Sequence, residues 1–318
     1  MRFNPENVEL DAIHTDDHFF RITTAKSLDD LIQSIRDIGL INPPVLIKQE
    51  SAYIIVSGFR RVEAISILGG KKVTAQVAES QKHSLFCAKI AISDNVFQRP
   101  LNLIERARAI QILSFFYDSS DDLASAAKAL SLPGNISIIE KLKCISKLDE
   151  EIKEYILADT LSLSTALLLE NSKESHQITI ARLLNNLKLS LNKQREMVTL
   201  LSEISHRDRI NVPEILEEKS FKEIMANQDL DRNQKANKIR MLLKKRRFPE
   251  ITKAESNFSA CIEKLDLDHS TKLIPPKFFE GSTYTLNFLF NSLEELKNCQ
   301  IKLQKIIQHP EIKRILER

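Results

Sequence analysis

Glycine is scarce in this chain, with six residues in 318. Turns that need a positive φ must therefore be few. Helix-favouring residues dominate, so most of the chain is expected to be helical. Cysteine is scarce too. Cys87, Cys144, Cys261 and Cys299 are scattered, with no Cys-x-x-Cys pair and no histidine at metal-ligand spacing. That pattern excludes a recognisable zinc motif and reads as small apolar side chains in a reducing compartment. No uncharged apolar run reaches membrane-spanning length, and the opening MRFNPENVEL has no apolar signal-peptide core. A large charge of one sign is missing as well: 46 Lys+Arg against 43 Asp+Glu leaves +3. So small an excess permits nucleic-acid binding without arguing for it. No internal repeat or low-complexity segment is visible. The expectation is a cytoplasmic protein of roughly two or three domains, with no membrane partner.

What is present reads as three textures. Residues 1–82 predict a small α+β unit. Val8–Ile13 is a candidate strand. Ser27 is a candidate N-cap for a helix whose Leu28, Leu31, Ile32, Ile35 and Ile38 recur at helical spacing up to Gly39. After Asn42-Pro43-Pro44, Val45–Lys48 and Tyr53–Ser57 read as strands, Arg60–Leu68 as a short helix and Val73–Ala78 as a strand. Residues 83–250 predict an all-helical region: Ser84–Ile92, Leu103–Phe116, then Asp121–Leu130 and Ile136–Leu148 joined by Ser-Leu-Pro-Gly-Asn. A break is expected near Asn211-Val212-Pro213. A basic stretch, Lys235–Arg247, reads either as phosphate contacts or as a solvated helix face. Residues 251–318 predict a second small α+β module, with dimerisation as its candidate role. In it, Lys272–Phe279 and Tyr284–Phe290 form a hairpin, followed by the amphipathic helix Ser292–Gln308.

Three stretches carry chemistry. In Gly58-Phe59-Arg60-Arg61 a strand turns into a helix. A helix N-terminus offers unpaired N–H groups and partial positive charge, so it suits an anion, and arginines add bidentate donors to phosphate. Alternatively Gly58 only makes the turn and the arginines are solvated. Asp94 and Asn95 are hard oxygen donors of the kind Mg²⁺ takes while keeping waters and phosphate oxygens. The competing reading is an Asx cap in a polar loop. The pair 121–130 and 136–148 fits helix-turn-helix geometry, with Asn135, Ser137, Lys141 and Lys143 as polar reach from the second helix. An ordinary helical hairpin is the alternative.

Taken in order, these signals resemble the ParB family of centromere-binding partition proteins (ParB/RepB), over roughly residues 5–210. Gly39-Leu40-Ile41-Asn42-Pro43 and Gly58-Phe59-Arg60-Arg61-Val62-Glu63-Ala64 are similar to the family's first motif region. Asp94-Asn95-Val96-Phe97-Gln98-Arg99 through Glu105 is similar to its Glu-Asn-x-Gln-Arg-x-x-Leu-Asn-x-x-Glu. Leu161-Ser162-Leu163-Ser164-Thr165-Ala166 is similar to a further family turn. The resemblance implies a ParB/sulfiredoxin-like N-terminal fold and a DNA-bound dimeric clamp governed by CTP and Mg²⁺. It assigns nucleotide contacts to Gly58, Arg60, Arg61, Asn95, Gln98 and Arg99, and metal contacts to Asp94 and Asn95. It also implies double-stranded DNA as partner, a homodimer, a ParA-type ATPase and a nucleoid location.

The sequence departs from the family at Phe59, where many members carry a Glu tied to hydrolysis. A phenyl ring neither positions water nor acts as a base, so efficient CTP hydrolysis is not expected. Asp94 stands where the family has Glu, and Gln98-Arg99 lies one residue later than usual. Two other functions stay open. One is a plasmid or phage regulator that binds DNA without nucleotide. The other is a phosphotransferase on the ParB/sulfiredoxin fold, with Glu63 as the nearest candidate base.

Overall fold

A computed structural model describes residues 3–50, 52–79, 84–170 and 174–316. The chain forms two compact units, Met1–Asn185 and Asn186–Arg318. The boundary expected between residues 82 and 83 lies outside the described residues. Position 250, the other expected boundary, falls in the first turn of a helix.

The first unit opens on a five-stranded mixed sheet. Its strands are β1 (Asn4–Glu9), β2 (Ile13–His14), β3 (Val45–Gln49), β4 (Ala52–Ser57) and β5 (Lys72–Glu79), in the order β1-β5-β3-β4-β2. The single strand expected over Val8–Ile13 is two: a 3-10 turn at Leu10–Ala12 separates β1 from β2. β3 and β4 pair antiparallel as neighbours in sequence, while β3 pairs parallel with β5. Leu46, Ile47, Ile54, Ile55 and Val56 are buried at 0–2% exposure. Branched and long apolar side chains on such central strands are the main driving force here, each worth about 2–3 kcal/mol when fully buried.

Helix α1 (Asp29–Ile38) packs on α2 (Phe59–Ile67), and α3 (Leu85–Val96) packs on β4. Ser27 is not the cap of α1. Leu28 holds the N-cap position without a side-chain bond, and Ser27 donates instead to the Asp29 carboxylate at 3.1 Å. Gly39 ends α1 as expected, at φ 78°. Helix α3 is one turn longer than expected, so Asp94 and Asn95 sit inside its last turn rather than in a loop. Pro100 bars continuation beyond it, since proline excludes the α conformation from the residue before it.

Helices α4 (Leu103–Ser114), α5 (Ser120–Ala129), α6 (Ile136–Lys147), α7 (Glu150–Leu157), α8 (Leu163–Glu170) and α9 (Glu174–Leu187) follow. α4 starts on a capping box, in which the Asn102 side chain accepts from the Glu105 amide and Glu105 from the Asn102 amide. α5 and α6 are capped by Ser119 and Asn135. Ala124 and Ala127 are buried where α5 meets the turn, and a Cβ at Gly134 would stand 3.2 Å from the Ala124 carbonyl.

The second unit runs through α10 (Leu191–Asp208), α11 (Val212–Glu217), α12 (Lys219–Ala226), α13 (Arg232–Arg247) and α14 (Pro249–Leu265). It ends in the antiparallel hairpin β6 (Thr271–Ile274) and β7 (Thr285–Phe288), then α15 (Leu293–Gln308) and α16 (Pro310–Leu316). The 293–308 helix falls where expected, with Ser292 as its N-cap, but the hairpin strands are shorter than Lys272–Phe279 and Tyr284–Phe290, and Lys277–Phe279 is a 3-10 turn. The basic stretch is divided: Lys238 and Lys245 are exposed, while four other cations are ion-paired within the unit. Arg240 and Lys244 both bind Glu196, Arg247 binds Glu203 at 2.6 Å, and Arg246 binds Asp208 at 2.9 Å and Glu218 at 2.6 Å. Most of these positive charges are used to hold α13 against α10. Among the described residues no helix is long and apolar enough to cross a membrane.

Candidate functional site

Every residue singled out for nucleotide or metal lines one cavity of about 270 Å³. Gly58, Arg60 and Arg61 come from the start of α2, Asp94 and Asn95 from the end of α3, and Gln98 and Arg99 from the segment after it. Ser57, at the end of β4, and Phe20, Ile22 and Thr23, from the strap before α1, also line the wall.

The sequence builds this place locally. Gly58 has φ 93° and ψ 24°, a left-handed conformation that side chains rarely adopt. A Cβ there would also stand 2.8 Å from Pro44 Cβ and 2.9 Å from Pro44 Cα. Gly58 is the N-cap of α2 and supplies no side-chain bond. The helix therefore meets the cavity with its positive end uncapped.

The charged side chains are partly engaged with one another. Arg61 donates to Asp94 Oδ2 at 3.0 Å and to the carbonyls of Asn42 and Pro43 at 2.9 and 3.0 Å. Ser57 Oγ and Gln98 Nε2 also donate to the Asp94 carboxylate, Gln98 at 2.7 Å. Arg60 Nη2 donates to the Ser27 carbonyl at 2.6 Å, while its Nε is buried with no hydrogen-bond partner. A buried donor left so is costly unless an acceptor arrives, which makes Arg60 the most receptive cation of the cavity. Asn95 donates back to the Ala91 carbonyl at 2.8 Å. Arg99 forks onto Glu105, both nitrogens at 2.7 Å.

Glu105 is the residue that reading the sequence left without a role at the site. It is 1% exposed and accepts from Arg99, from the Thr24 amide at 3.0 Å and from the Asn102 amide at 3.1 Å. Burial works against its ionisation, but these hydrogen bonds prevail and hold its pKa down at about 2. Its signals in the sequence are the Asn102-x-x-Glu105 spacing of a capping box and the closing Glu of the family motif.

Asp94 and Asn95 suit Mg²⁺ only as a partial shell. Among the described residues no group of three or more His, Cys, Asp or Glu side chains gathers to hold a metal. A carboxylate and an amide fit an ion that keeps several waters and takes the rest of its shell from phosphate oxygens. Phe59 is 7% exposed, at the first position of α2, with the Arg21 guanidinium 6.0 Å from its ring centre. Glu63, the candidate base, is absent from the cavity wall and faces Arg21 at 3.4 Å on the helix surface. A larger cavity of about 590 Å³ is lined by Phe19, Lys26, Arg108 and Phe115 among others, and by none of the expected residues.

In the helix pair the expected contact residues divide. Ser137 and Lys141 are exposed. The Asn135 side chain is used as the cap of α6, accepting from the Ile138 amide at 3.2 Å, and Lys143 is ion-paired with Glu140 at 3.1 Å. Ile136 and Ile138 are also exposed there, at 41% and 45%.

Residues 6–96 match the family ParB N-terminal domain. The probable chromosome-partitioning protein ParB of Campylobacter jejuni is 33% identical over 88 residues, which is 28% of this chain and 31% of that protein. The nucleoid occlusion protein of Halalkalibacterium halodurans is 29% identical over 135 residues, 42% of this chain and 46% of that protein. The chain thus spans less than half the length of either relative. Among solved structures, the C-terminally truncated ParB of Caulobacter crescentus, complexed with CTP-γ-S, is similar at 22% identity over 57% of this chain and 98% of that one, with a TM-score of 0.28. A pNOB8-like ParB N-domain is similar at 17% identity over 77% and 97%, with a TM-score of 0.40. Through residues 6–96 the chain carries a ParB N-terminal domain.

Proposed function

We propose that this protein is a ParB-like DNA-binding protein of chromosome or plasmid partition, whose N-terminal pocket takes CTP with Mg²⁺. The observation that carries the reading is the convergence of Gly58, Arg60, Arg61, Asp94, Asn95, Gln98 and Arg99 on one cavity from separated stretches of sequence. In this reading the α2 N-terminus, Arg60, Arg61 and Arg99 hold the phosphates. Asp94 and Asn95 give the metal two oxygens, and the metal when bound neutralises phosphate charge. Ser137 and Lys141 of α6 face DNA, and residues 251–318 join two copies at the C-terminal end. A ParA-type ATPase and a nucleoid location belong to the same proposal. The cavity lies just under the roughly 300 Å³ at which small-molecule clefts usually begin, so the Arg61–Asp94 contact opens as nucleotide enters.

Calorimetric titration of CTP with Mg²⁺ into the wild-type chain and Arg60→Ala tests it. Saturable binding lost in the variant supports the reading, and no binding in the wild type removes it. A second reading, a nucleotide-independent helix-turn-helix regulator, draws on Phe59 and on the acidic partners that Arg61 and Arg99 already have. DNA binding unaffected by CTP would favour it.

A further inference from the structure

Three parts of the molecule meet on one buried carboxylate. Both oxygens of Glu105 receive the fork of Arg99, which lines the nucleotide pocket. The same group accepts from the Thr24 amide and hydroxyl at 3.0 and 3.3 Å. It stands in the first turn of α4, whose Asn102 Nδ2 donates to Thr24 Oγ1 at 2.7 Å and whose Arg108 donates to the Thr23 carbonyl at 2.9 Å. The strap so held supplies Phe20, Ile22 and Thr23 to the pocket wall. α4 in turn packs against α5, α6 and α7.

We infer that Glu105 sets the phosphate affinity of this pocket by competing for Arg99, and that a bound triphosphate draws Arg99 away and loosens the strap from α4. The inference rests on the nucleotide reading above. Its physical ground is that the end of a guanidinium matches one carboxylate or one phosphate edge at a time. A triphosphate brings further negative charge beside a carboxylate that is almost wholly out of water, where like charges repel most. Glu105 is not stranded when Arg99 leaves, because the Thr24 amide and hydroxyl and the Asn102 amide remain as donors. They remain as neutral donors only, which grip a carboxylate less firmly in a network that has lost its cation. The consequence reaches α4, and through it the helix pair α5 and α6.

Two measurements test this. In the wild-type chain, saturating CTP with Mg²⁺ should speed amide hydrogen exchange at Thr24 and Asn102 while slowing it at the start of α2. By calorimetry, Glu105→Gln should bind CTP about tenfold more tightly, since an amide is a much weaker rival for Arg99 and glutamine still serves the capping box. Arg99→Lys should weaken CTP binding and abolish the exchange response. Binding of CTP without faster exchange at Thr24 and Asn102, or with Glu105→Gln no tighter than wild type, overturns the competition while leaving the pocket assignment intact. If Glu105→Gln does not fold, the wild-type exchange result decides. Absence of CTP binding in the wild type removes the pocket assignment and this inference together.

Discussion

Arg61, in the first turn of α2, and Asp94, in the last turn of α3, meet at 3.0 Å across the mouth of the pocket. Their side chains are 18% and 30% exposed, so the pair is only partly screened. On the proposed reading Asp94 exchanges one cationic partner for another, the guanidinium for a metal ion, when phosphate draws Arg61 away. The expected signature is a metal dependence that runs through Asp94. Chelation with EDTA should weaken CTP binding to the wild type by at least about tenfold, or about 1.4 kcal/mol. In Asp94→Asn, binding should be weaker throughout and nearly indifferent to chelation. Titrations of both proteins with and without EDTA read this directly, and equal sensitivity in the two would exclude Asp94 from the metal.

Gly58 and Gly39 separate two costs that are usually confounded. Both have positive φ, 93° and 78°. A Cβ at Gly58 would strike Pro44, whereas one at Gly39 would meet nothing within 4 Å. Gly39→Ala should cost about 1–3 kcal/mol from backbone strain alone, because φ 78° with ψ −175° is a conformation kept almost wholly to glycine. Gly58→Ala, in the left-handed α region, should cost about 1–2 kcal/mol of strain and about 1–3 kcal/mol more from the overlap. Urea denaturation of both variants measures the two costs, and a Gly58→Ala cost no greater than about 2 kcal/mol would show that Pro44 gives way.

Much of this arrangement is written locally. Tyr53–Ser57, Gly58 and the helix after it follow from β-branched residues and a single glycine, so the strand-to-helix turn is legible. Asp94 and Asn95 were harder, because they favour caps and turns, yet α3 runs through both and stops only before Pro100. The hub at Glu105 joins residues 81 positions apart, and no local pattern encodes that distance. The same holds for α13. Its run of lysine and arginine looks solvated until Glu196 and Glu203 arrive from α10, 44 positions earlier in the case of both Arg240 and Arg247. Asn135 carried two signals at once, a polar residue before a helix and a polar reach toward DNA, and in the folded chain the cap takes the side chain.

The Glu105 carboxyl gives a stability profile with a definite sign. Its pKa falls from 4.5 to about 2 on folding. A carboxyl depressed in this way adds stability that is fully present above about pH 5 and is lost as pH falls toward 2. The difference corresponds to about 3 kcal/mol. Wild type should therefore exceed Glu105→Gln in unfolding free energy at pH 7, and the gap should close between pH 5 and pH 2. Denaturant titrations of both proteins at several pH values across that window measure it. A gap that does not change with pH would mean that Arg99 and Glu105 are not held together in solution.

DNA affinity should distinguish the two basic regions of the chain. Lys141 is exposed on α6, while Arg240, Lys244, Arg246 and Arg247 are ion-paired with α10, Asp208 and Glu218. A cation that contacts phosphate releases counterions on binding, and its loss lowers the salt slope by about one. A cation already neutralised by a neighbouring carboxylate releases few. Lys141→Ala should accordingly weaken DNA binding and flatten its dependence on salt by about one unit. The double variant Lys244→Ala, Arg247→Ala should leave that slope nearly unchanged. Its cost should appear in stability instead, at up to about 1 kcal/mol for each pair lost. Fluorescence anisotropy with a duplex probe over a range of salt concentrations, beside thermal melts of both variants, tests the division. A slope that falls only in the double variant would move the DNA surface from α6 to α13.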